Sequence, residues 1–232
     1  QNLPLRESRR PDGVVELRTA SGMPIVDTVA RRLSFAPSPV ITADLSLEDG
    51  TLGRLVLEGA GMPAGGRELT PGGGGRYRIE GGALAGLFEL RDRLAPAAQA
   101  RADAVAADLV VRMPDPDGNP GGTVEADRPG LFLDGAAADE AFERYAAPRA
   151  VTGMAPDGTV DLGAAHELEA GALVRLDHTA PPRILRVIEV VDADTLRVGS
   201  PGGEALAGLP TGATQLAAVD TAGLAGRVGL NP

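Results

Sequence analysis

The sequence predicts an α+β fold that is mainly β, with antiparallel β domains and one long Pro-kinked helix at about residues 82–113. Three observations carry this. Apolar and polar residues alternate in short runs between 13 and 80, and again from 159 to 198. Between those regions apolar residues recur at steps of three and four, the helical spacing. Gly, Pro and Asp clusters separate the runs, as turn residues do. The 232 residues allow one large domain or two small ones, enough to fold without cross-links. Apolar residues make up 43% but aromatics only 3%, so the core must be built from Leu, Val, Ile and Ala.

Taken in order, Val15, Leu17 and Thr19 alternate before a Ser21-Gly22 turn that leads to Met23 and Ile25, the pattern of a hairpin. Leu33 and Phe35 alternate before Pro37 and Pro39. Leu55 and Leu57 do so after the Asp49-Gly50 turn. Pro71 to Gly75 reads as loop, and Tyr77 with Ile79 as one more short strand. The helical stripe then takes in Leu84, Leu87, Phe88, Leu94, Ala98, Ala102, Val105, Leu109 and Met113. Of these, Leu84, Leu87, Val105 and Leu109 are expected to be buried. Pro96 falls inside it and predicts a kink, because proline has no N–H to donate to the preceding turn. Residues 114–130 are turn-rich, and Gly135 to Tyr145 reads as a short Ala-rich helix. Leu173, Val174 and Leu176 precede Pro181-Pro182. Ile184 to Val190 and Thr195 to Val198 then flank a tight Asp192-Ala193-Asp194 turn. The expected organisation is a β-rich segment 1–81, the helix with loop and short helix over 82–150, a small β module 151–218 and a return segment 219–232. The module is expected to project from the rest and to be removable.

The formal charge of -10 disfavours a nucleic-acid partner and an anionic membrane surface, both of which need a basic face. All 22 basic residues are Arg, scattered among carboxylates, with Arg9-Arg10 and Arg31-Arg32 the doublets. The absence of Cys removes disulfides, thiolate metal sites and Cys nucleophiles. No apolar run is long enough for a transmembrane helix, and Gln1 to Arg10 lacks the apolar region of a signal peptide. The chain does not begin with Met.

Chemistry-bearing patterns are sparse. Asp115, Asp117 and Asn119 resemble the start of a calcium loop, yet the position that should hold a bidentate Glu is Ala126. His166 and His178 are the two imidazoles. Asp177-His178 fails as a catalytic pair because neighbours on a strand point to opposite faces. Gly72 to Gly75 lacks the Lys-Ser/Thr of a phosphate loop. Glu89 and Asp92 read as part of a charged helix face with Arg91. No catalytic, cofactor-binding or metal-binding residues are therefore assigned, and no enzymatic activity is expected.

The stretch Gly81-Gly82-Ala83-Leu84-Ala85-Gly86-Leu87-Phe88-Glu89-Leu90-Arg91-Asp92, with Leu94 to Ala106, resembles the GG-x-L-x-G-L-x-E-x-R-D helix of the FlgK family. That family forms the hook–filament junction of bacterial flagella. Gly13 to Val26 is similar to the family's β segment after its N-terminal helix. Pro129-Gly130-Leu131-Phe132-Leu133-Asp134 resembles its PGLFTD segment. Gly223-Leu224-Ala225-Gly226-Arg227-Val228-Gly229-Leu230-Asn231-Pro232 resembles its returning GLAxRIxxNP strand. The likeness covers about 3–135 and 221–232 and is nearest to alphaproteobacterial relatives, whereas 146–220 match no motif. The family's terminal coiled helices have no counterpart in this sequence, as in a trimmed, outward-facing portion.

The resemblance implies a structural, extracellular role in flagellum assembly and motility. It implies export without a cleaved signal, and partnership with other flagellar axial subunits, the hook protein and junction proteins. No cofactor is implied. Leu84, Leu87, Phe88 and Leu94 would lie on the helix's packing face. With that stripe used locally, the chain alone is expected to be monomeric. The alternatives are another flagellar axial protein, or a carbohydrate-binding or adhesive β module of a secreted protein. The second alternative would call for exposed aromatics, and few aromatics are available.

Overall fold

The computed structural model describes residues 2–72, 76–113, 124–125, 130–135, 141–177, 182–206 and 212–230. The fold is α+β and mainly β, with antiparallel sheets and one long helical run. Two compact units divide it, Gln1–Gln99 and Ala100–Pro232.

In the first unit, β1 (Leu5–Arg9), β2 (Val15–Thr19) and β3 (Pro24–Val26) form an antiparallel sheet with β2 central. The Ser21-Gly22 hairpin is present: the Gly22 N–H donates to Thr19 O at 2.9 Å. Strand β1 has a polar, exposed sequence with no alternation to reveal it, and it is held by its main-chain ladder to β2. A second antiparallel sheet comprises β4 (Arg32–Phe35), β5 (Leu55–Glu58) and β6 (Arg67–Glu68), again with the middle strand central. Leu55 and Leu57 share one face of β5, by the two-residue pleat, and both are buried. They pack with Met23, Ile25, Leu69, Ile79 and Phe88. The strand expected at Tyr77 and Ile79 does not form. Ile79 is buried and its N–H reaches Leu69 O at 2.9 Å, but Tyr77 sits in a turn.

The helical run consists of α1 (Gly82–Glu89), a π-helical turn at Leu90–Leu94, and α2 (Ala95–Arg112). Pro96 explains the π turn. In a regular α-helix its ring would strike the carbonyl of Asp92, four residues back. Widening the preceding turn, with the Ala95 N–H donating to Leu90 O, relieves that contact without ending the helix. The buried face is not the one expected. Leu84 is half-buried and Phe88 buried, but Leu87, Val105 and Leu109 are exposed; the buried side of α2 carries Asp103, Ala106, Ala107, Val110 and Val111.

The second unit contains β7 (Val124–Glu125), β8 (Phe132–Asp134), β9 (Arg149–Ala150), β10 (Gly153–Met154), β11 (Thr159–Asp161), β12 (Leu173–Asp177), β13 (Arg183–Val190), β14 (Thr195–Gly199), β15 (Gln215–Ala218) and β16 (Val228–Leu230). Its main sheet runs β10-β11-β14-β13-β12-β15-β9, with β7 added beside β13. The two ends of that path are consecutive in sequence. Val151 donates to Thr214 O at 3.0 Å and Thr152 to Asp161 O at 2.8 Å. Residues 149–154 thus act as one strand, bonding β15 with its first half and β11 with its second. The sheet closes into a small antiparallel barrel with no free edge along that seam. Alternate residues fill it: Val174, Leu176, Leu185, Val187, Leu196, Val198 and Leu216 point inward.

The outward-facing Leu173 and Ile184 join Ala106, Ala107, Val110 and Val111 of α2 in a separate core with Ala141, Phe142, Val219 and Leu224. Small Ala106 and Ala107 bring the helix close to the barrel wall. Arg186, also outward, donates to Asp108 at 2.5 Å, Pro201 O at 2.7 Å and Gly171 O at 3.0 Å. The β module of 151–218 therefore shares packed atoms with α2, the segment that would remain if it were deleted. The short helix expected at Gly135 to Tyr145 lies partly outside the described residues. Its described part, Ala141 to Tyr145, is not helical, and Ala141 O accepts the Asp134 N–H at 3.2 Å.

Candidate functional site

Within the second unit, three segments far apart in sequence meet at one buried junction. Asp103 of α2 points its carboxylate at the segment after β15. Its Oδ2 accepts the Gly223 N–H and its Oδ1 the Ala225 N–H, both at 2.8 Å. It thereby braces the 3-10 turn Leu224–Gly226, in which the Leu224 N–H donates to Thr221 O at 3.0 Å and the Gly226 N–H to Gly223 O at 3.1 Å, leaving the Ala225 N–H for Asp103. Gly223 holds φ at +72°, a left-handed conformation that favours glycine and lets the chain turn into Leu224, which is fully buried.

Arg227 follows directly. Its Nε and one terminal nitrogen grip both carboxylate oxygens of Asp134 at 2.8 and 3.1 Å, and its other terminal nitrogen donates to Ala222 O at 2.6 Å. Asp134 is fully buried and also accepts the Glu143 N–H at 3.1 Å. The hydrogen bonds to Asp134 raise the Arg227 pKa above its ordinary value. Beside it, β16 pairs with β8, placing Val228 opposite Asp134 and Leu230 opposite Phe132. Asp103 and Asp134 meet main-chain or guanidinium donors. The arrangement clamps α2, β8 and the segment 222–227 to one another.

The residues singled out for chemistry do not gather. His166 is buried. Its Nδ1 accepts the Leu168 N–H at 3.2 Å, and its Nε2 has no hydrogen-bond partner among the described residues. Asp177 pairs with Arg175 at 2.9 Å on its own strand, and His178 lies outside the described residues. So do Asp115, Asp117, Asn119, Ala126 and Gly73 to Gly75. Asp92 is clamped by Arg91, while Arg93 pairs with Glu89 one turn away. Among the described residues no group of His, Asp and Glu side chains is placed to hold a metal ion.

Two further features stand out. In the first unit, a cavity of about 430 Å³ lies between the loop 43–48 and the π turn, floored by Leu45, Leu47, Leu52, Phe88 and Pro96. On the helical run, large apolar residues face solvent in each unit: Leu87 is 62% exposed and Leu94 50% in the first, and Val105 63%, Leu109 40% and Met113 42% in the second. Among the described residues no helix is long and apolar enough to cross a membrane.

Sequence reasoning missed the Asp103, Asp134 and Arg227 junction. Each of the three stands inside a quoted motif, which was the available signal. Their pairing depends on contacts as much as 122 residues apart. Compared with known proteins, the chain matches no family model, and no curated protein matches it significantly.

Proposed function

We propose that this chain is a structural, non-catalytic part of the bacterial flagellum, an outward-facing portion of a FlgK-type hook-associated protein that helps join hook to filament. On this reading it is exported without a cleaved signal and works outside the cell, with hook protein and junction proteins as its partners. The observation that supports it best is the use made of the motif residues. Asp103, Asp134 and Arg227 come from three separate matched segments and are spent on holding those segments together, as a load-transmitting subunit requires. In the first unit, the matched Gly13 to Val26 hairpin supplies Met23 and Ile25 to the same core as Phe88 from the matched helix.

Deleting the gene in its own bacterium tests the reading. The expected phenotype is cells with complete hooks and no filaments, with unpolymerised filament protein released into the medium. Normal filaments and normal swimming in the deletion strain would contradict it.

A further inference from the structure

The sequence contains five Asp-Gly pairs. Four are described, Asp12-Gly13, Asp49-Gly50, Asp134-Gly135 and Asp157-Gly158, and Asp117-Gly118 lies outside the described residues. Asp-Gly is the dipeptide best suited to spontaneous isomerisation, because glycine has no Cβ to keep its nitrogen from the aspartate carboxyl carbon. The reaction needs a carboxyl group free to take up a proton and turn. It also needs a glycine N–H that can be released from its hydrogen bond. The four described pairs differ in both respects.

Three of them are held back by the fold. Asp134 is fully buried with both oxygens on Arg227, and the Gly135 N–H donates to Arg227 O at 3.0 Å. Asp157 accepts the Thr159 N–H at 3.0 Å. That bond first, and the Thr159 side chain next, hold its pKa below the ordinary aspartate value, so the acid form is scarce. Its glycine is buried, donates to Ala155 O at 3.1 Å and accepts the Val198 N–H at 2.9 Å. Asp12 accepts the Val14 N–H at 3.1 Å in the turn between β1 and β2, and Gly13 donates to Arg10 O at 2.9 Å.

We propose that Asp49-Gly50, beside the cavity of the first unit, is a site of spontaneous aspartate isomerisation. Both residues are exposed. The Gly50 N–H reaches Leu47 O only at 3.3 Å, beyond the usual range for an N–H···O bond. Among the described residues the Asp49 carboxylate meets no main-chain donor; its partner is the Ser46 hydroxyl, which donates to Oδ2 at 2.7 Å. That hydroxyl can follow the oxygen as it leaves. In the step itself the Gly50 nitrogen bonds to the Asp49 Cγ and gives up its proton. The Cγ–O bond breaks, water departs and a succinimide ring closes. Water then opens the ring at either carbonyl. Attack at Cγ restores aspartate, and attack at the main-chain carbonyl leaves isoaspartate with the mass unchanged. In isoaspartate the main chain gains a methylene between Leu47 and Leu52, both of which line the cavity. The proposal does not depend on the flagellar reading.

The test is to incubate the 232-residue chain for weeks at physiological temperature and mildly acidic pH, then digest it. Chromatography with electron-transfer mass spectrometry separates the aspartate and isoaspartate forms of each Asp-Gly peptide. Isoaspartate should build up at Asp49 at least about tenfold faster than at Asp12 or Asp157, and not at Asp134. In denaturant the four pairs should react at similar rates, since folded contacts alone separate them. Asp49→Glu, which would have to close a less favourable six-membered ring, should abolish the reaction at this position. Equal rates at Asp49, Asp12 and Asp157 in the folded chain would overturn the proposal. So would no isoaspartate at Asp49 while the unfolded chain forms it, or a ranking that persists in denaturant.

Discussion

Arg227 grips both carboxylate oxygens of Asp134 across 93 residues of sequence, at 2.8 and 3.1 Å. Asp134 is fully buried, so removing the guanidinium leaves an uncompensated charge, and removing the carboxylate leaves an unpaired cation. Asp134→Ala should therefore cost about 3 kcal/mol in a denaturant melt. Replacing both residues by Leu should recover much of the loss, since a buried pair owes its apparent strength partly to the cost of breaking it. A single variant as stable as the parent would show that the clamp contributes nothing.

The helix faces can be separated by two substitutions of similar size. Val110, almost fully buried, should lose about 2 kcal/mol on replacement by Ala, from lost transfer energy and a residual cavity. Leu87→Ala, at a position 62% exposed, should change stability by less than about 0.5 kcal/mol. Equal losses at both positions would mean that Leu87 is packed in solution.

Joining Ala146 to Thr221 through a short linker deletes the barrel. It also removes Leu173 and Ile184 from the core that holds Val110, Phe142 and Leu224. The shortened chain should lose cooperative melting of its remaining second-unit residues, with amide exchange in 103–111 becoming fast. Retained protection there would show that α2 needs no barrel.

Acid should weaken the first unit through Asp27. Its pKa lies below the ordinary aspartate value, first because its carboxylate accepts the Val29 N–H and next because Arg31 bonds it. A depressed folded-state pKa means the unfolded chain binds protons first as pH falls. The contribution is therefore fully present above the unfolded aspartate value and disappears as pH drops through the lower, folded one. An NMR titration should place the Asp27 midpoint below that of Asp in an unfolded peptide. A midpoint at or above it would contradict the assignment.

What the sequence made legible was local. The Ser21-Gly22 hairpin, the run of β12, β13 and β14, and the helix from Gly82 to Arg112 follow from alternation, turn residues and three-four spacing. The covered side of the helix did not follow. Leu87, Val105 and Leu109 outweigh Ala106 and Ala107 in any apolar pattern, but the small alanines are the ones that let the barrel wall approach. Closure of the barrel was equally hidden, because Arg149 to Met154 carries no alternation and its role rests on two main-chain bonds in opposite directions. The junction residues were visible one by one. Their meeting is a property of topology.

The central claim, a structural place at the hook–filament boundary, is tested most directly by labelling the protein in position. Gold-labelled antibody raised against this chain, applied to intact flagella and viewed by electron microscopy, should mark a narrow band where hook meets filament. It should leave the hook shaft and the filament length bare. Label along the filament, at its distal tip, or nowhere on the flagellum would contradict the account.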